Sequence, residues 1–277
     1  GEFCYFDSYQ DAPDSQPEAI GGYLPLSKVY SFNPVPDTLS ADKVQLVYGV
    51  QANLFTEYIP TPEHAEMMIY PRILALAEVA WSAPSVKNYD DFHVRALKEV
   101  EALKAEGYHP FELKNEIGNR PGADQPVQHL AVGKKVAYGP DAAYYPGYSA
   151  GGDSALVYGV IGGWTYGDRR WQGFIDKKRM DVTIDMEKET EIHSVGADFM
   201  QVCGPEVFMP SEVIISVSND GKEFTELKRM EHKVVKDDKV TFINFGWEGN
   251  AKARYIRYQA SSGEFGGFLF TDEIVVK

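Results

Sequence analysis

Met180-Asp181-Val182-Thr183-Ile184-Asp185-Met186 alternates apolar and polar residues without a break. A period of two puts every second side chain on one face, the pattern of a strand with one side in a core. The same short alternation returns at Val213-Ile215-Val217, Val240-Phe242, Tyr255-Ile256-Tyr258 and Phe268-Phe270. Turn sequences such as Asn219-Asp220-Gly221 separate these runs, which predicts an antiparallel β-sandwich over residues 134–277.

Upstream the pattern changes. Residues 111–133, with Pro121, Gly122 and Pro126, read as a linker, and the helical signals lie before it. Thr61-Pro62-Glu63 is a helix start, with a capping hydroxyl, a proline at the first helical position and an acid in the first turn. Ala65, Met68, Ile69, Leu74, Ala77 and Trp81 then follow at three- and four-residue spacings, with Pro71 predicting a kink. A second amphipathic helix is predicted over Asp90–Glu106, ended by Gly107. Before them, Phe3–Phe6 and Val44–Val50 read as strands separated by a long loop rich in proline and glycine. Residues 1–110 are thus an α+β region.

Composition narrows the function. Against 27 basic residues stand 41 acidic ones, a formal charge of −14 that repels phosphate backbones and anionic membranes, so nucleic acid is not an expected partner. No uncharged apolar stretch reaches the roughly 18 residues of a membrane span. Aromatic residues make up 13%, as suits either a strand-rich protein or one that stacks on neutral sugars. Cys4 and Cys203 fall in different regions, so no disulfide is expected. Gly1-Glu2-Phe3-Cys4 has neither the charge nor the apolar run of a signal segment and reads as a cut end.

Three blocks carry a resemblance: Tyr5-Phe6-Asp7; Gln51-Ala52-Asn53-Leu54-Phe55-Thr56-Glu57-Tyr58; and Met68 through Pro71-Arg72 to Ala77-Glu78-Val79-Ala80-Trp81-Ser82. In order and spacing they resemble the C-terminal end of the catalytic domain of family-20 glycoside hydrolases, the β-N-acetylhexosaminidases. The resemblance implies a C-terminal remnant of a (β/α)8 barrel, with Tyr5–Asp7 closing strand seven and Gln51–Glu57 closing strand eight. Sites in such barrels lie at these strand ends. In that family the substrate's own N-acetyl oxygen attacks the anomeric carbon. The resemblance assigns Tyr5 to hold that oxygen in line, Asp7 and Glu57 to accept hydrogen bonds from remote sugar hydroxyls, and Phe55 to form the pocket wall in place of the family's usual Trp. Taken singly, Tyr5 reads as a strand tyrosine, Asp7 as a turn former and Glu57 as a cap near Thr61; taken with the long match they read as site residues. Arg72 and Glu78 read as a structural ion pair.

The family's reaction also needs an adjacent Asp-Glu, one orienting the acetamido group and the other acting as general acid. The chain's sole Asp-Glu is Asp272-Glu273, preceded by Leu269-Phe270-Thr271 and set in the sandwich, which does not fit that role. Barrel strands one to six are therefore expected upstream of residue 1, and the chain is expected to be inactive alone and to self-associate through its incomplete barrel. No cofactor is expected for catalysis. The implied partner is a glycan with a terminal N-acetylhexosamine, and the implied location is periplasmic or extracellular.

In the second region, Gly151-Gly152, Trp171-Gln172-Gly173-Phe174, Phe199-Met200-Gln201 and Ser218-Asn219-Asp220-Gly221-Lys222-Glu223-Phe224 resemble the discoidin, or coagulation-factor-5/8 type C, domain. That implies a jelly-roll sandwich of carbohydrate-binding type. Loop aromatics are its candidate sugar contacts, with Trp164, Tyr166 and Tyr148 foremost, whereas Trp171 reads as core. The resemblance also implies a structural Ca²⁺ with Glu273 as ligand. Tyr158-Gly159 stands where an Asp-Gly is expected, which leaves Asp153 as the candidate second carboxylate. The six histidines are too dispersed for a transition-metal site. A binding or domain-docking module without catalysis is the alternative reading.

Overall fold

The computed structural model describes residues 2–140, 142, 144–175 and 180–277. It forms two units, Gly1–Gly118 and Asn119–Lys277. No helix among the described residues is long and apolar enough to cross a membrane.

The first unit is held by four helices: α1 (Leu26–Tyr30), α2 (Pro62–Ile69), α3 (Arg72–Trp81) and α4 (Tyr89–Ala105). Thr61 caps α2 by accepting from the His64 amide at 3.2 Å, and Asn88 caps α4 by accepting from Asp91 N at 3.1 Å. The expected kink at Pro71 is a full break. Proline lacks an N–H and drives the residue before it to extended backbone, and Tyr70 adopts φ −94°, ψ 136° between the two helices. Gly107, at φ +92°, ends α4 as expected, with its amide donating to Lys104 O and the Tyr108 amide to Leu103 O. Phe6, Leu26, Val29, Leu76, Phe92, Val100, Phe111 and Leu113 share one core.

The two expected strands of this unit are not formed. Val44–Leu46 is a 3-10 turn with exposed side chains, and residues 3–6 and 51–53 meet only at a parallel bridge between Tyr5 and Asn53. Phe6 N donates to Asn53 O and Asn53 N to Cys4 O, both at 2.8 Å. A parallel ladder is normally stabilised by neighbours on both edges and cover on both faces. Among the described residues of this unit no further strand flanks the pair.

The expected linker is divided between two cores rather than hanging free. Phe111 and Leu113 are buried in the first unit, and Arg120, Ala123 and Ala131 in the second.

The second unit contains β1 (Lys135–Tyr138), β2 (Gln172–Ile175), β3 (Met180–Gln201), β4 (Pro210–Ser218), β5 (Thr225–Glu231), β6 (Thr241–Ser262), β7 (Phe268–Thr271) and β8 (Val275–Val276), all paired antiparallel. The long strands β3 and β6 run beside each other in both layers. Their early and late halves pair as Val182↔Tyr258 and Phe199↔Ile243, separated by register shifts between Asp185 and Thr190 and between Ile192 and Ser194. Such bulges bend a sheet. One layer is therefore β1, the start of β3, the end of β6, β4 and β5; the other is β2, β7, the end of β3 and the start of β6. Phe242 and the run at 255–258 lie in two parts of this one strand β6, which begins just after Val240. The opening alternation delivers Met180, Val182, Ile184 and Met186 to the core, where they meet Val195, Ala197, Phe199, Val213, Ile215, Ile256 and Tyr258.

Candidate functional site

In the first unit the Tyr5–Asn53 bridge brings together two stretches far apart in sequence. Tyr5 is 41% exposed and its ring lies 5.4 Å from that of Phe55, itself 64% exposed. Asp7 is buried. Its Oδ1 accepts from the amides of Phe55 at 2.7 Å and Thr56 at 3.1 Å, while Oδ2 is buried with no hydrogen-bond partner among the described residues. A carboxylate holding two successive amides fixes the 55–57 turn, in which Thr56 takes φ +60°. Glu57 is exposed on the same turn. Tyr5, Asp7 and Phe55 are thus joined by direct contacts, and Glu57 follows from the same short segment.

Arg72 and Glu78 do not pair with each other, contrary to expectation. Arg72 is wholly buried and donates to four carbonyl oxygens, of Phe6, Ser8, Leu24 and Met68. Two of these flank Asp7. Burial pulls the guanidinium pKa down to about 9 against an upward pull from Asp7, which leaves it cationic at neutral pH. Glu78 instead takes a two-pronged contact from Arg95 at 2.7 and 2.9 Å and a hydrogen bond from the Tyr30 hydroxyl at 2.8 Å. A lone arginine after a proline carries no sequence signal of a carbonyl clamp, because its acceptors come from residues up to 66 positions away.

In the second unit, Trp171 is fully buried, as expected, and its indole N–H donates to Gly163 O at 3.1 Å. Gly162 must be glycine here, since a Cβ would lie 2.3 Å from the Trp171 ring. Trp164 is half-buried and meets Phe242 edge-on at 5.6 Å. Tyr166 stacks on Phe270 at 4.8 Å, and Tyr148 packs edge-on against Tyr166, Phe268 and Phe270. These tyrosines therefore belong to a ring cluster at the sheet end, next to buried Trp171 and Met200. A separate cavity of about 560 Å³, lined among others by Ser194, Gly196, Asp198, Asn244, Trp247 and Glu248, contains none of the three candidate rings.

Arg120 is buried against Trp171. Its guanidinium sits 4.9 Å from the Trp171 ring and 4.8 Å from that of Phe242, and it donates to Gly162 O, Asp272 and Asp198. Burial pushes the Asp272 carboxyl up to about 6 despite the Arg120 charge. Nothing in a proline-rich linker marks Arg120 in advance.

The carboxylates expected at a calcium site are employed otherwise. Glu273 Oε1 accepts from Gly159 N and from His129 Nε2, both at 2.8 Å, and Oε2 from Val160 N at 3.2 Å. Asp153 is exposed and accepts from the Tyr144 hydroxyl at 2.8 Å. Calcium takes six to eight oxygen ligands whose lone pairs face the ion. N–H donors face Glu273 instead, and among the described residues no three His, Cys, Asp or Glu side chains gather as a metal group. Glu273 and Asp153 as arranged do not fit the ion.

Residues 1–84 match the family model for the glycosyl hydrolase family 20 catalytic domain, and residues 144–274 that for the F5/8 type C domain. Residues 1–84 are thus similar to a family-20 glycosidase catalytic domain, and residues 144–274 to a discoidin-like domain. Curated relatives include a β-hexosaminidase of Porphyromonas gingivalis, 49% identical over 88 residues that make up 32% of this chain and 11% of that protein. A β-N-acetylhexosaminidase of Cellulomonas fimi is 32% identical over 100 residues, 36% of this chain and 20% of that protein. The chain spans only about a tenth to a fifth of these relatives. Among solved structures, CpGH89CBM32-5 from Clostridium perfringens, in complex with GalNAc-β-1,3-galactose, is 17% identical with a TM-score of 0.37, covering 54% of this chain and 99% of that one.

Proposed function

We propose that the first unit supplies one wall of the sugar pocket of an exo-acting β-N-acetylhexosaminidase and that the sandwich binds glycan. The observation that carries this reading is the joining of Tyr5, Asp7 and Phe55 through the Asp7 carboxylate and the facing rings. In substrate-assisted retaining hydrolysis the nucleophile is the acetamido oxygen of the terminal sugar. The Tyr5 hydroxyl donates to that oxygen and holds it in line with the anomeric carbon. Phe55 supplies an apolar face, and Asp7 Oδ2 and Glu57 accept from hydroxyls away from the reacting bond. The general acid that protonates the leaving oxygen is no residue of this chain, so these residues position substrate without cleaving it. Such a glycan substrate suits a periplasmic or extracellular location.

For the sandwich, Trp164 is the proposed stacking ring. Calorimetric titration with N-acetylglucosamine, galactose and chitobiose should give binding that Trp164→Ala abolishes while the melting midpoint stays within a few degrees. Heat with none of these sugars would favour a docking module instead.

Tyr48 and Trp81, 92% and 91% exposed on the first unit, are proposed as a self-association surface. Sedimentation velocity should show concentration-dependent oligomers that Trp81→Ser reduces; a monomer at all concentrations would refute it.

A further inference from the structure

We propose that Asp272 and Glu273, helped by Arg120 and His129, fix the loop of residues 159–168 without a divalent cation, and so act as positioning residues for Trp164. The part concerning Trp164 rests on the sugar-binding reading above; the fixing of the loop does not.

Asp272 and Glu273 directly follow the end of β7 and grip successive parts of one loop. Glu273 takes the amides of Gly159 and Val160, and Asp272 takes that of Gly162 at 3.1 Å. Asp168, within the loop, takes the amide of Gly163 at 2.6 Å. The loop carbonyls are held as well: Gly162 O by Arg120 at 2.7 Å, Gly163 O by Trp171 at 3.1 Å, and Gly159 O by the Val127 amide at 2.9 Å. Gly159 itself adopts φ +82°, and a Cβ there would lie 3.0 Å from Val127 O.

His129 completes the arrangement, and its tautomer follows from its neighbours. Nδ1 receives the amides of Ala131 at 3.3 Å and Val276 at 3.4 Å, so it is the acceptor nitrogen. Nε2 then carries the hydrogen and donates to Glu273 Oε1. Both side chains are completely buried. Three N–H donors therefore converge on Glu273, and a buried carboxylate with such donors is satisfied without a metal. The Asp-Glu dipeptide, unsuited to glycosidic acid catalysis, has a structural task instead.

Amide hydrogen exchange followed by NMR separates the possibilities. In the unmodified chain the amides of Gly159, Val160, Gly162 and Gly163 should be protected, and neither EDTA nor millimolar CaCl₂ should change their rates or the melting midpoint. Glu273→Gln should speed exchange at Gly159 and Val160, and Asp272→Asn at Gly162, by about tenfold or more, with core amides such as Ile184 and Phe199 unchanged. Sugar affinity should fall in both variants. Exchange that rises with EDTA and recovers with calcium would overturn the proposal, as would variants that fold yet keep wild-type protection. If either variant does not fold, the EDTA comparison on the unmodified chain still decides. Loop protection without any sugar binding would refute the reading of Trp164 and leave the cation-free loop standing.

Discussion

Purified as it stands, the 277-residue chain should leave 4-nitrophenyl N-acetyl-β-glucosaminide intact. General-acid assistance alone contributes roughly 10²–10⁴-fold, and correct placement of the reacting groups adds more. On the proposed reading the chain offers Tyr5 to hold the acetamido oxygen but no residue to protonate the leaving group. Its one Asp-Glu pair is buried in the sandwich, 2% and 1% exposed, with both carboxylates bonded to the loop amides. Release of 4-nitrophenol that scales with protein through repeated purification, and disappears in Tyr5→Phe, would show that the chain contains an acid we have not identified.

Arg72→Met should unfold the first unit while the sandwich still melts as before. The substitution keeps the apolar stem and removes the donors to four carbonyls. A buried group left unsatisfied costs about 1–3 kcal/mol, so the total exceeds about 4 kcal/mol, a large share of the 5–15 kcal/mol that stabilises a typical domain. Arg72→Lys should fall between, since three ammonium hydrogens cannot serve every acceptor. Helical circular dichroism reports the first unit, and near-ultraviolet signals of buried Trp171 report the second. Normal helicity and melting in Arg72→Met would show that the carbonyl clamp is not what holds α3 against the segment bearing Asp7.

The sequence discloses this molecule unevenly, for physical reasons. Strands with a period-two pattern over a core face, such as 180–186, are legible because one-sided burial imposes the alternation. The helix caps at Thr61 and the stop at Gly107 are legible because their chemistry is local. The helix α1, which buries Leu26, Val29 and Tyr30, is decided by packing against distant segments. So are the partners of Arg72, Arg120 and His129, which lie in other elements and leave no periodic trace. Of the candidate site, Tyr5, Asp7 and Phe55 are legible only through their resemblance to a family. The double hold of Asp7 on the 55–56 amides became visible only once the two stretches were side by side.

The central claim is that residues 1–84 form part of an N-acetylhexosamine pocket. It is tested most directly by placing them in the Porphyromonas gingivalis β-hexosaminidase, in place of the segment they match at 49% identity. The chimera should hydrolyse 4-nitrophenyl N-acetyl-β-glucosaminide, and Tyr5→Phe within it should lower kcat by about 10²–10³-fold, the loss expected for one donor to a developing charge. A folded chimera without activity, or one indifferent to Tyr5→Phe, would contradict the account.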